Sequence, residues 1–216
     1  MVHPVRNDGS VDYSRVIDCP SGNCIEKSYA AYRRGDTHLA AVGISPKKQK
    51  FEDFQQITGV KETYKKFKDL ATGDASYMML LCYGGTGNGK THLCNSLALV
   101  LLDRGVTTKL YTVSDMVSEL RSGIENNTIE PMIQKLKQVE ALILDDYKPE
   151  YGSVWEMNRV EEIIDARYRN ALITVLTTNR GVETVPERIT SRFMDPALGV
   201  IILNEATDFR KRRVRG

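Results

Sequence analysis

The sequence has no apolar run of about 18 residues or more, and no apolar segment typical of a signal peptide follows Arg6. These absences argue against a membrane-spanning helix and predict a cytoplasmic protein. A large excess of one charge is also missing, because the formal net charge of +2 is too small to indicate nucleic-acid binding by itself. Four cysteines among 216 residues do not indicate a disulfide framework.

The composition is that of a globular protein, with 41% hydrophobic and 27% charged residues. A chain of 216 residues has room for one α/β domain and an extension. Residues 1 to about 75 are polar and contain no obvious buried strand. The stretch 44–46, Ile-Ser-Pro, indicates a break ahead of a short basic run that ends at Lys50. We therefore divide the chain into an N-terminal extension, residues 1–50, and a main domain, residues 51–216.

The most informative stretch is residues 76–105, in which a strand, a glycine-rich loop and a helix follow one another. Residues 78–83 are an apolar run of strand length, and apolar residues recur at helical spacing after the loop until Gly105. The loop fits the pattern G-x-x-x-x-G-K-T of nucleoside triphosphate-binding proteins. Its residues are Gly84, Gly85, Thr86, Gly87, Asn88, Gly89, Lys90 and Thr91, and His92 follows.

Each part of this loop suits a chain of phosphates. Backbone amides ahead of a helix form an anion-binding nest, and glycines lack the Cβ atoms that would block a close approach. We predict that Lys90 reaches the β- and γ-phosphate oxygens and that the Thr91 hydroxyl binds Mg²⁺. His92 is expected to be a packed or surface residue beside the nucleotide. A chance glycine-rich turn is the alternative, and the flanking strand and helix argue against it.

A second site element is the apolar run 141–146, ALILDD, which ends in two carboxylates. Such a run is typical of a parallel strand buried on both faces, whose carboxyl end opens on a ligand crevice. We expect Asp145 to hold the Mg²⁺ shell and Asp146 to orient or deprotonate the attacking water. The alternative is a pair of helix-capping or turn aspartates, which the phosphate-binding loop upstream argues against.

Three further polar residues are candidates in the C-terminal part. Asn179 follows a predicted strand, 172–177, and would lie beside the phosphates. Arg188 and Arg192 lie four residues apart on one face of a predicted helix, 186–196. The other predicted elements are helices at 59–70, 114–121 with Ser114 as N-cap, 129–137 and 155–168, and strands at 108–112 and 200–203. The loop 122–128 between two of these helices faces either solvent or DNA.

The two cysteine pairs differ in what they indicate. Cys82 and Cys94 lie in the strand and the helix around the loop, and we interpret them as buried small apolar residues. Cys19 and Cys24, in CPSGNC, are half of the ligands that a structural zinc site needs. They are either part of such a site, two free thiols, or an intermolecular or remnant site.

In their order and spacing, GGTGNGKTHL, LILDDYKPE, LTTN and ERITSRF resemble the AAA+ ATPases of the DnaC/DnaI helicase-loader and IstB group. The resemblance covers roughly residues 50–210. It implies an α/β fold with a five-stranded parallel sheet in the order 5-1-4-3-2 flanked by helices, ATP and Mg²⁺ as cofactors, and self-assembly. By the same resemblance Asn179 is sensor 1, Arg192 or else Arg188 is the arginine finger, and Arg210 is a sensor 2 candidate.

Several features depart from that group. Tyr147-Lys148 stands where a hydrophobic residue and a glycine are usual, and Cys19 and Cys24 are fewer than the group's usual cysteine set. Asp146 stands where AAA+ proteins usually have glutamate, and its shorter side chain favours slow hydrolysis. The chain ends soon after its last predicted strand, so we expect no helical lid domain.

The leading interpretation is an ATP-dependent loader that delivers a DnaB-type replicative helicase onto single-stranded DNA, with residues 1–50 binding the partner. An IstB-like transposition helper that binds duplex DNA is the second. An ATP-gated adaptor without hydrolysis is a further alternative, because Asp146 stands in place of the usual glutamate. A small nucleotide kinase is disfavoured because the sequence shows neither an acceptor pocket nor an arginine-bearing lid. The basic C-terminal residues 210–216 either contact phosphates or only increase solubility.

Overall fold

The computed structural model describes residue 43 and residues 49–209, in which helices and strands alternate. The helices are α1 (Lys61–Thr72), α2 (Lys90–Asp103), α3 (Val113–Glu125), α4 (Ile129–Gln138), α5 (Val154–Arg169) and α6 (Glu187–Met194). The strands are β1 (Met79–Tyr83), β2 (Thr108–Thr112), β3 (Ala141–Asp145), β4 (Ile173–Thr178) and β5 (Gly199–Leu203). Short 3-10 turns, Pro149–Tyr151 and Val182–Thr184, follow β3 and β4.

The five strands form one parallel sheet in the order β2-β3-β4-β1-β5. Read from the other edge this is the order 5-1-4-3-2, so the predicted topology is confirmed. β1 lies inside the sheet, where Cys82 pairs with Thr177 of β4 on one side and with Ile202 of β5 on the other. The loop after β1 therefore leaves the sheet at its carboxyl edge, where ligands of such sheets bind.

Helices cover both faces of the sheet and give three layers. The core on one face joins α1 and α2 to strand residues such as Leu80 and Ile143. The core on the other face joins α3, α4, α5 and α6 to the alternate strand residues, such as Leu81 and Leu144. Because both faces are buried, the inner strands are mostly apolar instead of alternating with polar residues.

Most predicted boundaries lie within two residues of the observed ones, but the start of α3 needs correction. Thr112, not Ser114, is its N-cap, and the Thr112 hydroxyl accepts a hydrogen bond from the N–H three residues later at 3.1 Å. The helix also runs through the first half of the predicted loop 122–128. Gly123 in this last part of the helix permits the close approach of α4, because a Cβ there would lie only 3.2 Å from the Ile129 Cα.

Some predictions concern residues outside the described part of the chain. These are Cys19, Cys24 and Arg210, together with the basic residues that follow it. Cys82 and Cys94 are described, and both are fully buried, as predicted. Within residues 49–209, no helix has the length and apolar character that a membrane span requires.

Arg167 of α5 was not singled out from the sequence, yet it is fully buried in the core. It donates to the main-chain oxygens of Leu136 at 2.8 Å, Val139 at 2.7 Å and Ile173 at 2.6 Å, and to the Thr174 hydroxyl at 2.9 Å. Burial lowers the pKa of its guanidinium group to about 10. The group joins the carboxyl end of α4, where carbonyl groups lack helical partners, to the start of β4.

Replacing Arg167 with methionine should lower the free energy of unfolding by about 3–5 kcal/mol, because buried carbonyl groups lose their donors while the apolar stem is kept. Arg167→Lys should recover only part of this loss, since an ammonium group has three donors and a guanidinium group has five. Urea denaturation followed by circular dichroism measures both variants. A loss below about 1 kcal/mol for the methionine variant would contradict a structural role for these hydrogen bonds.

Candidate active site

The carboxyl ends of β1, β3 and β4 meet at one edge of the sheet, beside a cleft of about 770 Å³. Predicted residues from all three strand ends line this cleft, among them Lys90, Thr91, Asp145, Asp146 and Asn179. They are far apart in the sequence and are brought together because β4 pairs with β3 on one side and with β1 on the other. A cleft is therefore present at the place where the sequence predicts the ligand crevice.

The phosphate-binding loop is shaped by close approaches that leave no room for side chains. Gly89, directly before α2, has a φ of 93°, and a Cβ there would lie 2.7 Å from the Phe54 ring. Gly84 has a φ of 137°, and its Cβ would lie 2.3 Å from the Asn204 carbonyl oxygen. Glycine is therefore required at both positions. The tight turn that these glycines allow leads to the N-terminus of α2, and backbone amides at a helix N-terminus form a favourable site for phosphate.

Lys90 is the first residue of α2 and is buried, with 7% of its surface exposed. Its ammonium group donates to the carbonyl oxygens of Gly84 at 2.7 Å and Gly85 at 2.8 Å, and to Asn88 Oδ1 at 2.9 Å. Burial lowers the pKa of Lys90. All three of its donors are directed at oxygens of the loop, where phosphate oxygens would compete for the same donors.

Asp145 ends β3 and is 4% exposed. Its Oδ2 accepts a hydrogen bond from the Thr91 hydroxyl at 2.7 Å, and its Oδ1 accepts one from the Thr177 hydroxyl at 2.5 Å. The neighbouring oxygens of Thr91 and Asp145 are the ligand types that Mg²⁺ prefers. Among the described residues no group of three or more His, Cys, Asp or Glu side chains could hold a metal, so this ion would take its other ligands from water and phosphate.

Asp146 lies one residue beyond β3, with its backbone in the left-handed region at a φ of 57°. Its N–H donates to the Thr177 hydroxyl at 3.0 Å. Its Oδ2 accepts hydrogen bonds from the Tyr151 hydroxyl at 2.6 Å and the Lys148 ammonium group at 3.0 Å. Partial burial raises the pKa of Asp146, but these hydrogen bonds and the charges of Lys148 and Lys90 give a net lowering. The carboxylate is therefore ionised at neutral pH.

The two arginine-finger candidates lie on α6, and neither is among the described residues that line the cleft. Arg192 forms an ion pair with Asp165 at 2.9 Å, and its guanidinium group lies 5.0 Å from the centre of the Tyr168 ring. The Arg188 side chain is 88% exposed and lies 4.0 Å from the Glu161 carboxylate. Within one chain, the fold does not bring either arginine to the phosphate-binding loop.

His92 lines the cleft but is tied to the segment that precedes the main domain's first helix. Its Nε2 lies 2.7 Å from the Lys50 carbonyl oxygen. Its ring meets the Phe54 ring edge to face, with the ring centres 5.1 Å apart. His92 is thus a packed residue, and its contacts hold residues 50–54 against the start of α2.

Asn204, which directly follows β5, was not singled out from the sequence. Its side-chain amide donates to the Asn88 carbonyl oxygen at 3.1 Å, and the Asn88 amide donates to the Asn204 carbonyl oxygen at 3.0 Å. This reciprocal pair holds the phosphate-binding loop against the end of β5. A signal was available, because Asn204 follows a predicted strand just as Asn179 does. Thr177 and Tyr151 carried no comparable signal.

A comparison with protein families matches residues 24–208 to the family described as IstB-like ATP binding protein. Among curated proteins, an insertion sequence ATP-binding protein of Sinorhizobium fredii is 29% identical over 158 residues, which are 72% of this chain and 52% of the relative. The replicative helicase loader DnaC of Escherichia coli is 27% identical over 124 residues, which are 56% of this chain and 51% of the relative. The chain spans about half the length of these relatives.

Among solved structures, the crystal structure of the DnaC helicase loader matches with a TM-score of 0.63 and 17% identity. The match covers 73% of this chain and 97% of that chain. At this level of identity it shows a shared fold, and the five-stranded parallel sheet flanked by helices is the fold that the resemblance of the motifs implied.

Replacing Thr177 with valine should destabilise the protein by about 1–3 kcal/mol, because Asp145 loses a donor and the Asp146 N–H loses its acceptor without a change of shape. Thr177→Ser is the matched control, since it keeps the hydroxyl group. Its free energy of unfolding should lie closer to that of the wild type. Urea denaturation of the three proteins gives the comparison. Equal stability of the valine and serine variants would contradict the bridging role of this hydroxyl.

Proposed function

The chain belongs to the family of IstB-like ATP-binding proteins, and from this premise we propose that it is an AAA+ ATPase that loads a DnaB-type replicative helicase onto single-stranded DNA. One observation carries the ATPase part of this proposal. Thr91 contacts Asp145 at 2.7 Å, and Asp145 and Asp146 line one cleft with Lys90. A phosphate-binding lysine, a metal-ligating hydroxyl and two carboxylates in one cleft are the parts that nucleoside triphosphate hydrolysis needs.

In the proposed reaction a water oxygen attacks the γ-phosphorus of ATP, the bond from that phosphorus to the bridging oxygen breaks, and ADP and phosphate form. Lys90 neutralises the charge on the β- and γ-phosphate oxygens. Asp146 orients the water or accepts its proton, and Asn179 donates a hydrogen bond to the γ-phosphate or holds the water. Thr91 and Asp145 are the residues for Mg²⁺, which neutralises phosphate charge when bound.

An isolated subunit lacks one part of this machinery, because Arg192 and Arg188 lie on α6 away from its own cleft. An arginine supplied by a neighbouring subunit is worth roughly 10³ to 10⁵ in the rate of such reactions. We therefore propose that the protein works as an oligomer, with Arg192 as the finger and Arg188 as the second candidate. Arg210 is proposed as sensor 2.

The loader role rests on likeness to proteins that carry it out. A helicase loader is among the relatives, and the fold match covers 97% of the chain in the DnaC crystal structure. We propose that residues 1–50 bind the helicase, with or without a zinc ion bound by Cys19 and Cys24. We also propose that the basic residues 210–216 contact DNA phosphates. ATP-bound subunits would hold the helicase, and hydrolysis would release it.

A transposition helper that binds duplex DNA is the second candidate, and one observation favours it. The insertion sequence ATP-binding protein matches 72% of this chain, whereas the helicase loader matches 56%. Both candidates use the same nucleotide site. They differ in the partner protein and in the form of the DNA that they bind.

The deciding experiment is co-purification of the full chain with the replicative helicase of its source organism in the presence of ATP, followed by sizing of the complex. We expect a stable complex that transfers the helicase to single-stranded DNA. The Lys90→Ala variant should not support this transfer, because its phosphate-binding loop lacks the ammonium group. Failure of the wild type to associate with helicase, combined with ATP-dependent assembly on duplex DNA, would contradict the loader role and support the second candidate.

Arg192→Ala should lower ATP turnover roughly 10³-fold or more if this residue is the finger. Arg169→Ala is the matched control, because Arg169 also pairs with Asp165, at 3.1 Å, and should leave turnover within about twofold of the wild type. Mixing the Arg192→Ala and Lys90→Ala variants should restore activity, since one subunit supplies an intact cleft and the other an intact finger. Absence of recovery in the mixture would contradict the role in trans.

A further inference from the structure

The segment between β3 and α5 carries a contact that the proposed reaction does not use. It contains Tyr147-Lys148, which departs from the pattern of the resembling proteins, and it includes the 3-10 turn Pro149–Tyr151. We propose that Lys148 and Tyr151 form a latch on Asp146 that restrains this carboxylate until the subunit is engaged by its neighbours or partners. The inference rests on the proposed ATPase function and adds two restraining residues to it.

The latch is a closed triangle of hydrogen bonds on a single carboxylate oxygen. The Tyr151 hydroxyl donates to Asp146 Oδ2 at 2.6 Å, and the Lys148 ammonium group donates to the same oxygen at 3.0 Å. Lys148 also donates to the Tyr151 hydroxyl at 2.6 Å and lies 4.9 Å from the centre of its ring. Hydrogen bonds to charged groups are stronger than those between neutral groups, so Oδ2 is held firmly in one direction.

The backbone around Asp146 cannot move easily to release the carboxylate. Asp146 has a φ of 57°, and its N–H is bound to the Thr177 hydroxyl at 3.0 Å. The next residue, Tyr147, is 1% exposed, and its N–H donates to the Thr177 carbonyl oxygen at 2.6 Å. With both peptide groups attached to β4, a change at Asp146 must come from side-chain rotation, and the latch opposes that rotation.

The latch is connected to the neighbouring strand end. Glu150, in the same 3-10 turn as Tyr151, forms an ion pair with Arg180, and both side chains are about half exposed. Arg180 directly follows Asn179, the residue proposed to contact the γ-phosphate, and its N–H donates to the Thr178 hydroxyl at 3.2 Å. A displacement at the end of β4, or a partner that competes for this exposed ion pair, would therefore move the turn that carries Tyr151.

This connection gives the latch a consequence for catalysis. An oxygen that already accepts two strong hydrogen bonds is a poor acceptor for a third from water. In the latched state Asp146 is positioned in the cleft but restrained in its contact with the attacking water. Opening the latch frees one oxygen of a carboxylate that is already in place, so hydrolysis can be switched on without a rearrangement of the sheet.

The test is steady-state ATP hydrolysis by the full-length Tyr151→Phe variant, which keeps the ring and removes the hydroxyl group. Tyr151 is not among the described residues that line the cleft, so KM should stay within about twofold. The basal kcat should rise about 3- to 30-fold, the range expected when part of a charged hydrogen bond is released. The stimulation by helicase and DNA should shrink by the same factor, which a purely structural role of Tyr151 would not produce.

Tyr147→Phe is the matched control, because Tyr147 is two positions from Pro149–Tyr151 and its hydroxyl has no hydrogen-bond partner in the described part of the chain. It should leave basal kcat unchanged. Glu150→Gln, which weakens the ion pair with Arg180, should raise kcat in the same direction as Tyr151→Phe. An unchanged or lowered kcat in Tyr151→Phe would overturn the latch.

Two further measurements separate failure of the latch from failure of the proposed function. Binding of a fluorescent ATP analogue, with Lys90→Ala as the control that should lose binding, tests the nucleotide site alone. Binding without turnover in any variant would overturn the latch, and the conclusion that the protein binds ATP would stand.

A thermal-unfolding cycle tests the contact between Tyr151 and Asp146 without ATP. Tyr151→Phe should lower the unfolding midpoint in the wild type and leave it unchanged in Asp146→Ala, and equal shifts in both backgrounds would overturn the contact itself.

Discussion

Asp145 is a buried carboxylate whose two oxygens accept hydrogen bonds from hydroxyl groups on two other elements, Thr91 at the start of α2 and Thr177 in β4. A buried charge without partners is unfavourable by several kcal/mol, so this carboxylate is tolerated only where both hydroxyls reach it. That condition is met because β4 lies beside β3, and because the phosphate-binding loop follows β1, the strand on the other side of β4. The order of the sheet and the chemistry of the cleft thus depend on the same contact.

The two neighbouring carboxylates have different surroundings and hence different capacities. Asp145 is bound by neutral hydroxyl groups, one of them on the residue that would share a metal ion with it. Asp146 is bound by a phenol and an ammonium group, which keep it ionised and restrain its direction. The two carboxylates are neighbours in the chain, and the left-handed backbone at Asp146 separates the position proposed for Mg²⁺ from the position proposed for the attacking water.

A subunit by itself contains a phosphate-binding loop, two carboxylates and Asn179 in one cleft, while its exposed arginines on α6 lie elsewhere. In the proposed function a neighbouring subunit supplies the arginine finger, so turnover would depend on assembly. The proposed latch adds a second dependence within the subunit, because the Asp146 carboxylate is held until the turn that carries Tyr151 moves. Under both proposals the protein would keep ATP until its partners are present.

The sequence by itself determined the elements and the main residues that line the cleft, because hydrophobic periodicity and the spacing of the phosphate-binding loop are local properties of the chain. Strand limits, Lys90, Thr91 and the two aspartates could therefore be predicted, and the sheet order followed from the resemblance of the motifs. The tertiary structure alone decided that Arg167, which the sequence gives as an ordinary helical cation, is buried among carbonyl groups. It also decided that Thr177 joins both aspartates and that Asn204 holds the loop. These contacts join residues distant in the sequence, and their partners exist only once strand order and register bring the strand ends together.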